Sequence, residues 1–131
     1  MIYHAAAPKR YKTALPSLKP PMEKMLKSWL VYRLTCPRCS ACYVGETSRH
    51  FKFCVREHVH RAGPMKSHLS QCSTTITEEN VDILKTSSQG EYYLLTLEAL
   101  HTRELKPQIN TKDEYKSREL MIKLYSWFQD H

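Results

Sequence analysis

Residues 30–47 read LVYRLTCPRCSACYVGET, and the reading of this stretch decides the architecture around it. LVYRLT alternates through β-branched and aromatic residues, and CYVG resumes the pattern after a turn carrying Pro37. Together they predict an antiparallel hairpin. Tyr32 and Tyr43 fall on the two strands, with Cys36, Cys39 and Cys42 at every third position between them. Strand tyrosines ordinarily serve a core or an interface, and clustered cysteines are either buried thiols or metal ligands.

Downstream, Thr47 or Ser48 stands where a helix N-cap belongs. Over residues 50–62 a helical projection gathers Phe51, Cys54, Val55, His58 and Ala62 on one face, with Lys52, Arg56 and His60 opposite. Gly63-Pro64 stops this helix, MKSHLSQC adds a further turn or two, and VDILKT predicts a third strand. EYYLLTLEALHTREL then projects Leu94, Leu97, Glu98, His101 and Leu105 together, placing a carboxylate beside an apolar stripe. The chain leaves that helix through KPQIN, and EYKSRELMIKLYSWF forms a last one. The expected fold class is α/β in the α+β sense: a small three-stranded antiparallel sheet flanked by helices. Residues 1–28 read as a basic, proline-containing arm with a short helix over MEKMLKSW, residues 29–112 as the folded domain, and residues 113–131 as a helix packed on it.

With 131 residues the chain suits one domain with one core. No apolar run approaches the roughly 20 residues needed to cross a bilayer, and MIYHAAAPKRYK lacks the apolar centre of a signal peptide. The expectation is a soluble, intracellular protein without a membrane partner or a small-molecule cofactor. The net charge of +7 is uneven: residues 1–70 hold 13 Lys and Arg against 3 acids, and residues 71–131 hold 7 against 10. Such a split suits either a polyanion-binding face or a solvated basic surface. Arg49, Lys52, Arg56, Arg61 and Lys66 are the candidates for contact with nucleic acid.

Cys36 and Cys39 form a C-x2-C knuckle on the hairpin turn, a spacing that lets two thiolates share one Zn2+. His68 and Cys72, at H-x3-C, would reach the same ion from adjacent helical turns. These four are the expected ligands of a structural zinc clip, with Cys42 and His60 as alternatives. The competing reading makes the cysteines ordinary buried thiols and His68 a surface residue.

Taken in order, Val31-Tyr32, Tyr43-Val44-Gly45, Glu46-Thr47 followed by Arg49, Glu57-His58, Glu98 on a helix and Pro107-Gln108-Ile109-Asn110 resemble the motifs of GIY-YIG endonucleases. The version carried by Penelope-like retroelements, with cysteines between the two tyrosine motifs, is the most similar, over residues 29–112. The resemblance implies a DNA phosphodiester hydrolase dependent on one divalent cation, Mg2+ or Mn2+. It assigns catalytic positions to Tyr32, Tyr43, His58, Glu98 and Asn110. In that role Glu98 is a hard oxygen ligand for Mg2+, and His58 shuttles a proton or holds the nucleophile. Asn110 fixes the phosphate or the adjoining backbone. A phenol serves as base only where its pKa is depressed.

The chain departs from this pattern at three places. The helix arginine expected four residues before His58 is Cys54, and a thiol does not replace a guanidinium fork. Arg56 lies about 200° further round the helix, so it should point elsewhere. The first tyrosine motif lacks its glycine, and Cys72 stands where the retroelement relatives usually carry a second histidine. The resemblance therefore implies an endonuclease domain of retroelement origin, acting on DNA in the nucleus and fused to or derived from a reverse transcriptase, with cleavage impaired. The rival readings are a non-catalytic zinc module that binds nucleic acid and a protein-interaction domain using its acidic last helix.

Overall fold

The computed structural model describes residues 19–130, so most of the basic arm lies outside the described residues. Its elements are α1 (Lys19–Leu26), β1 (Leu30–Thr35), β2 (Cys42–Thr47), α2 (Phe51–His60), α3 (Pro64–Gln71), a 3-10 turn (Glu78–Asn80), β3 (Val81–Thr86), α4 (Glu91–Leu105) and α5 (Lys112–Asp130). The three strands make one antiparallel sheet in the order β2-β1-β3. The central strand is therefore the one that opens the hairpin.

Strand alternation divides β1 between two layers. Leu30, Tyr32 and Leu34 join Tyr43, Phe51, Cys54, Met65 and Leu69 in a core beneath α2 and α3. Val31 and Val44 face the other way and pack with Leu94, so α4 covers the second face. Leu34 pairs with Tyr43 and Tyr32 with Gly45, which turns both phenols to the α2 side. Gly45 is needed for close approach: a Cβ built there would overlap the Tyr32 phenol oxygen and come within 2.7 Å of Tyr32 Cζ. The glycine of Tyr43-Val44-Gly45 is thus what lets the Tyr32 ring cross β2.

The free edge of β2 is covered by residues 108–110. Ile109 N donates to Cys42 O at 3.0 Å, Cys42 N donates to Gln108 Oε1 at 3.1 Å, and Asn110 takes both main-chain groups of Val44. A sheet edge sealed this way cannot pair with another chain.

Several local expectations are corrected. Neither Thr47 nor Ser48 caps α2; His50 holds the N-cap position without a side-chain bond, and Phe51 N donates instead to Lys27 O. That bond fastens the end of the arm to the domain, as does Lys24 Nζ donating to the carbonyls of Glu78 and Val81. Helix α2 stops at His60, because Arg61 is already extended, and Ala62 is exposed outside it. On α4 the predicted Leu94 and Glu98 are buried and Leu97 and Leu105 pack partly buried on the same core, but Thr96, Ala99 and Thr102 are buried as well. The helix packs against the sheet on one side and α5 on another, so its buried face is broader than one stripe.

Candidate functional site

Two groups of chemically able side chains form around the hairpin. At the turn, Cys36 directly follows β1, Cys39 sits on the loop, His68 lies in the last turn of α3, and Cys72 is the C-cap of that helix. Their ligand atoms all lie within 4.8 Å of one another. Cys72 Sγ is 3.9 Å from Cys39 Sγ, and His68 Nε2 is 3.1 Å from Cys39 Sγ and 3.6 Å from Cys72 Sγ. A tetrahedron with metal–sulfur bonds near 2.3 Å has edges of about 3.8 Å, so the spacing suits one tetrahedral ion.

The local backbone makes this cluster. Ser40 adopts a left-handed φ of 65° and donates to Cys36 O at 2.9 Å, while Cys36 N donates to Ala41 O at 2.8 Å, folding CPRCSA into a tight loop. Arg38 Nε reaches Cys72 O at 3.1 Å and ties that loop to the end of α3. Burial opposes ionisation of Cys36, but the backbone N–H groups of Cys39 and Arg38, with the Cys39 and His68 side chains, bring its thiol down to about 6. A thiol ionised at neutral pH is what a metal requires. Cys42 and His60, the alternative ligands, stand outside the four-residue group.

The second group straddles β2. On the α2 side, Tyr32 Oη lies 2.6 Å from His58 Nε2, and the His58 ring sits 4.8 Å from that of Tyr43. Burial lowers the pKa of His58, with Glu114 and Glu57 offsetting part of the effect, which favours the neutral imidazole in its hydrogen bond with Tyr32. Burial, and then Cys54 and Tyr43, hold the Tyr32 phenol well above its usual range. Burial and the Glu114 bond raise Tyr43 as well. The depressed phenol that a tyrosine base requires is therefore absent: both phenols are held protonated, and Tyr43 donates to Glu114. Cys54 is buried against Tyr32, and its thiol is pushed up to about 11 by burial.

On the other side lies a polar network that sequence reasoning missed. Glu98 Oε2 is 3.1 Å from Arg118 Nη2, and both side chains are nearly closed to solvent. Arg118 Nη1 donates to Val44 O at 2.8 Å and to Thr102 Oγ1 at 3.1 Å. Glu114 works in two directions. Its Oε1 accepts Thr111 N at 2.8 Å while Thr111 Oγ1 accepts Glu114 N, which caps α5; its Oε2 accepts the Tyr43 phenol at 2.5 Å. Burial pushes the Glu98 carboxyl up to about 7; Arg118 pulls it down, and Glu46 and Glu114 add to the rise. Two signals pointed to this network: the capping pattern Thr111-x-x-Glu114, and an arginine on the core-facing side of α5 between Tyr115 and Ile122.

Of the sequence-derived set, Tyr32, Tyr43 and His58 come together, and Glu98 contacts Arg118 while both phenols sense its charge. Asn110 is spent on the backbone: Oδ1 accepts Val44 N at 2.9 Å and Nδ2 donates to Val44 O at 3.0 Å. The candidate DNA contacts also divide. Arg49 and Arg61 both pair with Glu57, at 2.6 and 3.9 Å, and Lys66 Nζ donates to His60 O. Lys52 and Arg56 lie over the exposed Phe53 ring at 5.2 and 5.8 Å, with His50 stacked on it at 6.2 Å. An exposed aromatic ringed by cations is a platform on which a nucleobase can stack.

Among the described residues no helix is long and apolar enough to cross a membrane. Comparison of the chain with protein-family models, curated proteins and solved structures returns no match.

Proposed function

We propose that this chain is a DNA endonuclease domain of the GIY-YIG type, of retroelement origin, held together by one structural zinc and descended from an enzyme that nicks a DNA phosphodiester. The observation that carries the reading is the meeting of Tyr32, Tyr43 and His58 at one place under α2, with the Tyr32 phenol 2.6 Å from the imidazole. Neutral His58 is the group there suited to accept a proton near pH 7, and Tyr32 is its hydrogen-bonded partner. Protonated phenols are suited to donating to the non-bridging oxygens of a phosphate. Lys52, Arg56 and Phe53 supply a surface for the strand beside it. Zn2+ fits the Cys36, Cys39, His68 and Cys72 donor set, where it would fasten the hairpin turn to α3. Nuclear residence and linkage to a reverse transcriptase follow from that origin and from DNA as substrate.

A second reading, a zinc-bearing module that binds nucleic acid without cutting it, is favoured by Cys54 in the arginine position and by the closed Glu98–Arg118 pair. Nicking of supercoiled plasmid with Mg2+ or Mn2+ separates the two. Loss of one phosphate-binding group costs about 10²–10³ in rate. Wild type should therefore nick slowly, Cys54→Arg should nick at least tenfold faster, and His58→Ala should be inactive. If Cys54→Arg is folded, binds DNA and still leaves the plasmid intact, the non-catalytic reading stands.

A further inference from the structure

Glu98 is engaged by Arg118 at 3.1 Å, so as arranged that carboxylate does not fit Mg2+. The outward face of α2 is different, because its polar groups have no partner of opposite charge. Phe53 there is 39% exposed. Lys52 Nζ lies 5.2 Å from its ring centroid, Arg56 Cζ lies 5.8 Å away, and the His50 ring is stacked at 6.2 Å with 22° between the planes. We propose, resting on the reading above that DNA is the ligand but not on cleavage, that this cluster binds single-stranded DNA, with an unpaired base stacked on Phe53 and its flanking phosphates on Lys52 and Arg56.

Charge and packing both point this way. Lys52 and Arg56 stand four residues apart on one helix, where like charges repel. Lys52 also lies in a first turn that holds no acid, the end of a helix at which a cation is disfavoured. No neighbour relieves this: Glu57 is taken by Arg49 and Arg61, and among the described residues neither Lys52 nor Arg56 has an ion pair. The burial of α2 comes from Phe51 and Cys54, so Phe53 is not what seats the helix. Local rules broken together, with no gain to the fold, mark a surface held for a ligand. The cations call for an anion, and the ring narrows the choice. Phe53 has no hydrogen-bonding group, so it can meet a base only through its π face. In a duplex those faces are covered by stacked neighbours, and an unpaired base leaves one open. The two cations now lie over the ring, and their long side chains can turn from it to the phosphates on either side. His58 follows about 7.5 Å further along the same helix axis, so a strand held on Phe53 lies close to the Tyr32–His58 pair.

The test is fluorescence anisotropy of labelled oligo(dT) with the full chain, without added Mg2+ or Mn2+. Phe53→Leu should weaken binding about fivefold or more, as the loss of one stacked base does, and Phe53→Trp should retain it. Lys52→Gln/Arg56→Gln should lower the slope of log affinity against log salt by about 1.4, the value for two phosphate contacts on a single strand. A measurement on the wild type removes dependence on a variant that fails to fold: it should prefer oligo(dT) about fivefold or more over a duplex with the same number of phosphates. Equal affinity for the two, or oligo(dT) binding indifferent to Phe53→Leu, overturns the proposal. So does displacement by polyglutamate as readily as by unlabelled oligo(dT), which would make the face a seat for an acidic peptide. The two levels fail differently. Single strands bound through Phe53 by a chain that nicks no plasmid uphold the platform and defeat the endonuclease reading, whereas plasmid nicking with oligo(dT) binding indifferent to Phe53→Leu does the reverse.

Discussion

Gly45 shows how one missing side chain positions a site. Its φ lies outside the left-handed region, so conformational freedom is not the reason for glycine; the reason is the Tyr32 ring lying across the strand where a Cβ would be. Gly45→Ala should push Tyr32 off His58 and strain the core beneath α2, at a cost of about 1–3 kcal/mol, measurable by urea denaturation. Loss of the Tyr32–His58 contact should appear as a rise in the His58 pKa in an NMR titration, because the opened ring is better hydrated. Unchanged stability and an unchanged titration would mean that the ring had room to spare. Asn110 and Arg118 make the complementary point. Both are polar and buried, and both end on Val44, so their first task is to satisfy a strand edge.

At the scale of elements, the hairpin turn and α3 depend on the four-residue cluster. Helix α3 spans eight residues and buries only Met65 and Leu69, too little to hold a short helix by packing alone. A metal joining the two His68–Cys72 ligands to the Cys36–Cys39 loop would supply the missing restraint. Protein purified without chelator should contain about one equivalent of zinc. Stripping it should raise amide exchange in residues 36–42 and 64–73 while leaving α4 protected. Cys72→His should retain the metal and Cys72→Ala should lose much of it. Less than half an equivalent of zinc in the wild type would return the cysteines to the role of plain thiols.

For the whole molecule, the pH dependence of stability reports on the buried network. Glu98 has its pKa raised from 4.5 to about 7 in the folded chain, so the fold binds a proton there more tightly than the unfolded chain does. Its contribution is fully present below about pH 4.5 and is lost as pH rises through 7, a difference of at most about 3 kcal/mol. His58 acts oppositely: its lowered pKa favours the fold as pH rises through the histidine range. The informative quantity is thus the difference between wild type and Glu98→Gln. The variant should gain on wild type progressively from pH 5 to pH 8 in thermal melts, and parallel melting curves across that range would show that Arg118 compensates the carboxylate completely.

The three strands were legible because alternation, β-branching and turn residues are local properties, and LVYRLT and VDILKT coincide with β1 and β3. The metal-ligand spacing was legible for a similar reason: C-x2-C sets a loop, and H-x3-C sets adjacent turns of one helix. The sequence by itself thus determined the elements, the hairpin and the residues able to hold an ion. Only the tertiary structure decided that β1 lies at the centre of the sheet, that residues 108–110 seal the β2 edge, and that Glu98 meets Arg118. Those outcomes rest on contacts between segments far apart in the chain, and no local preference encodes which buried carboxylate a distant arginine will reach.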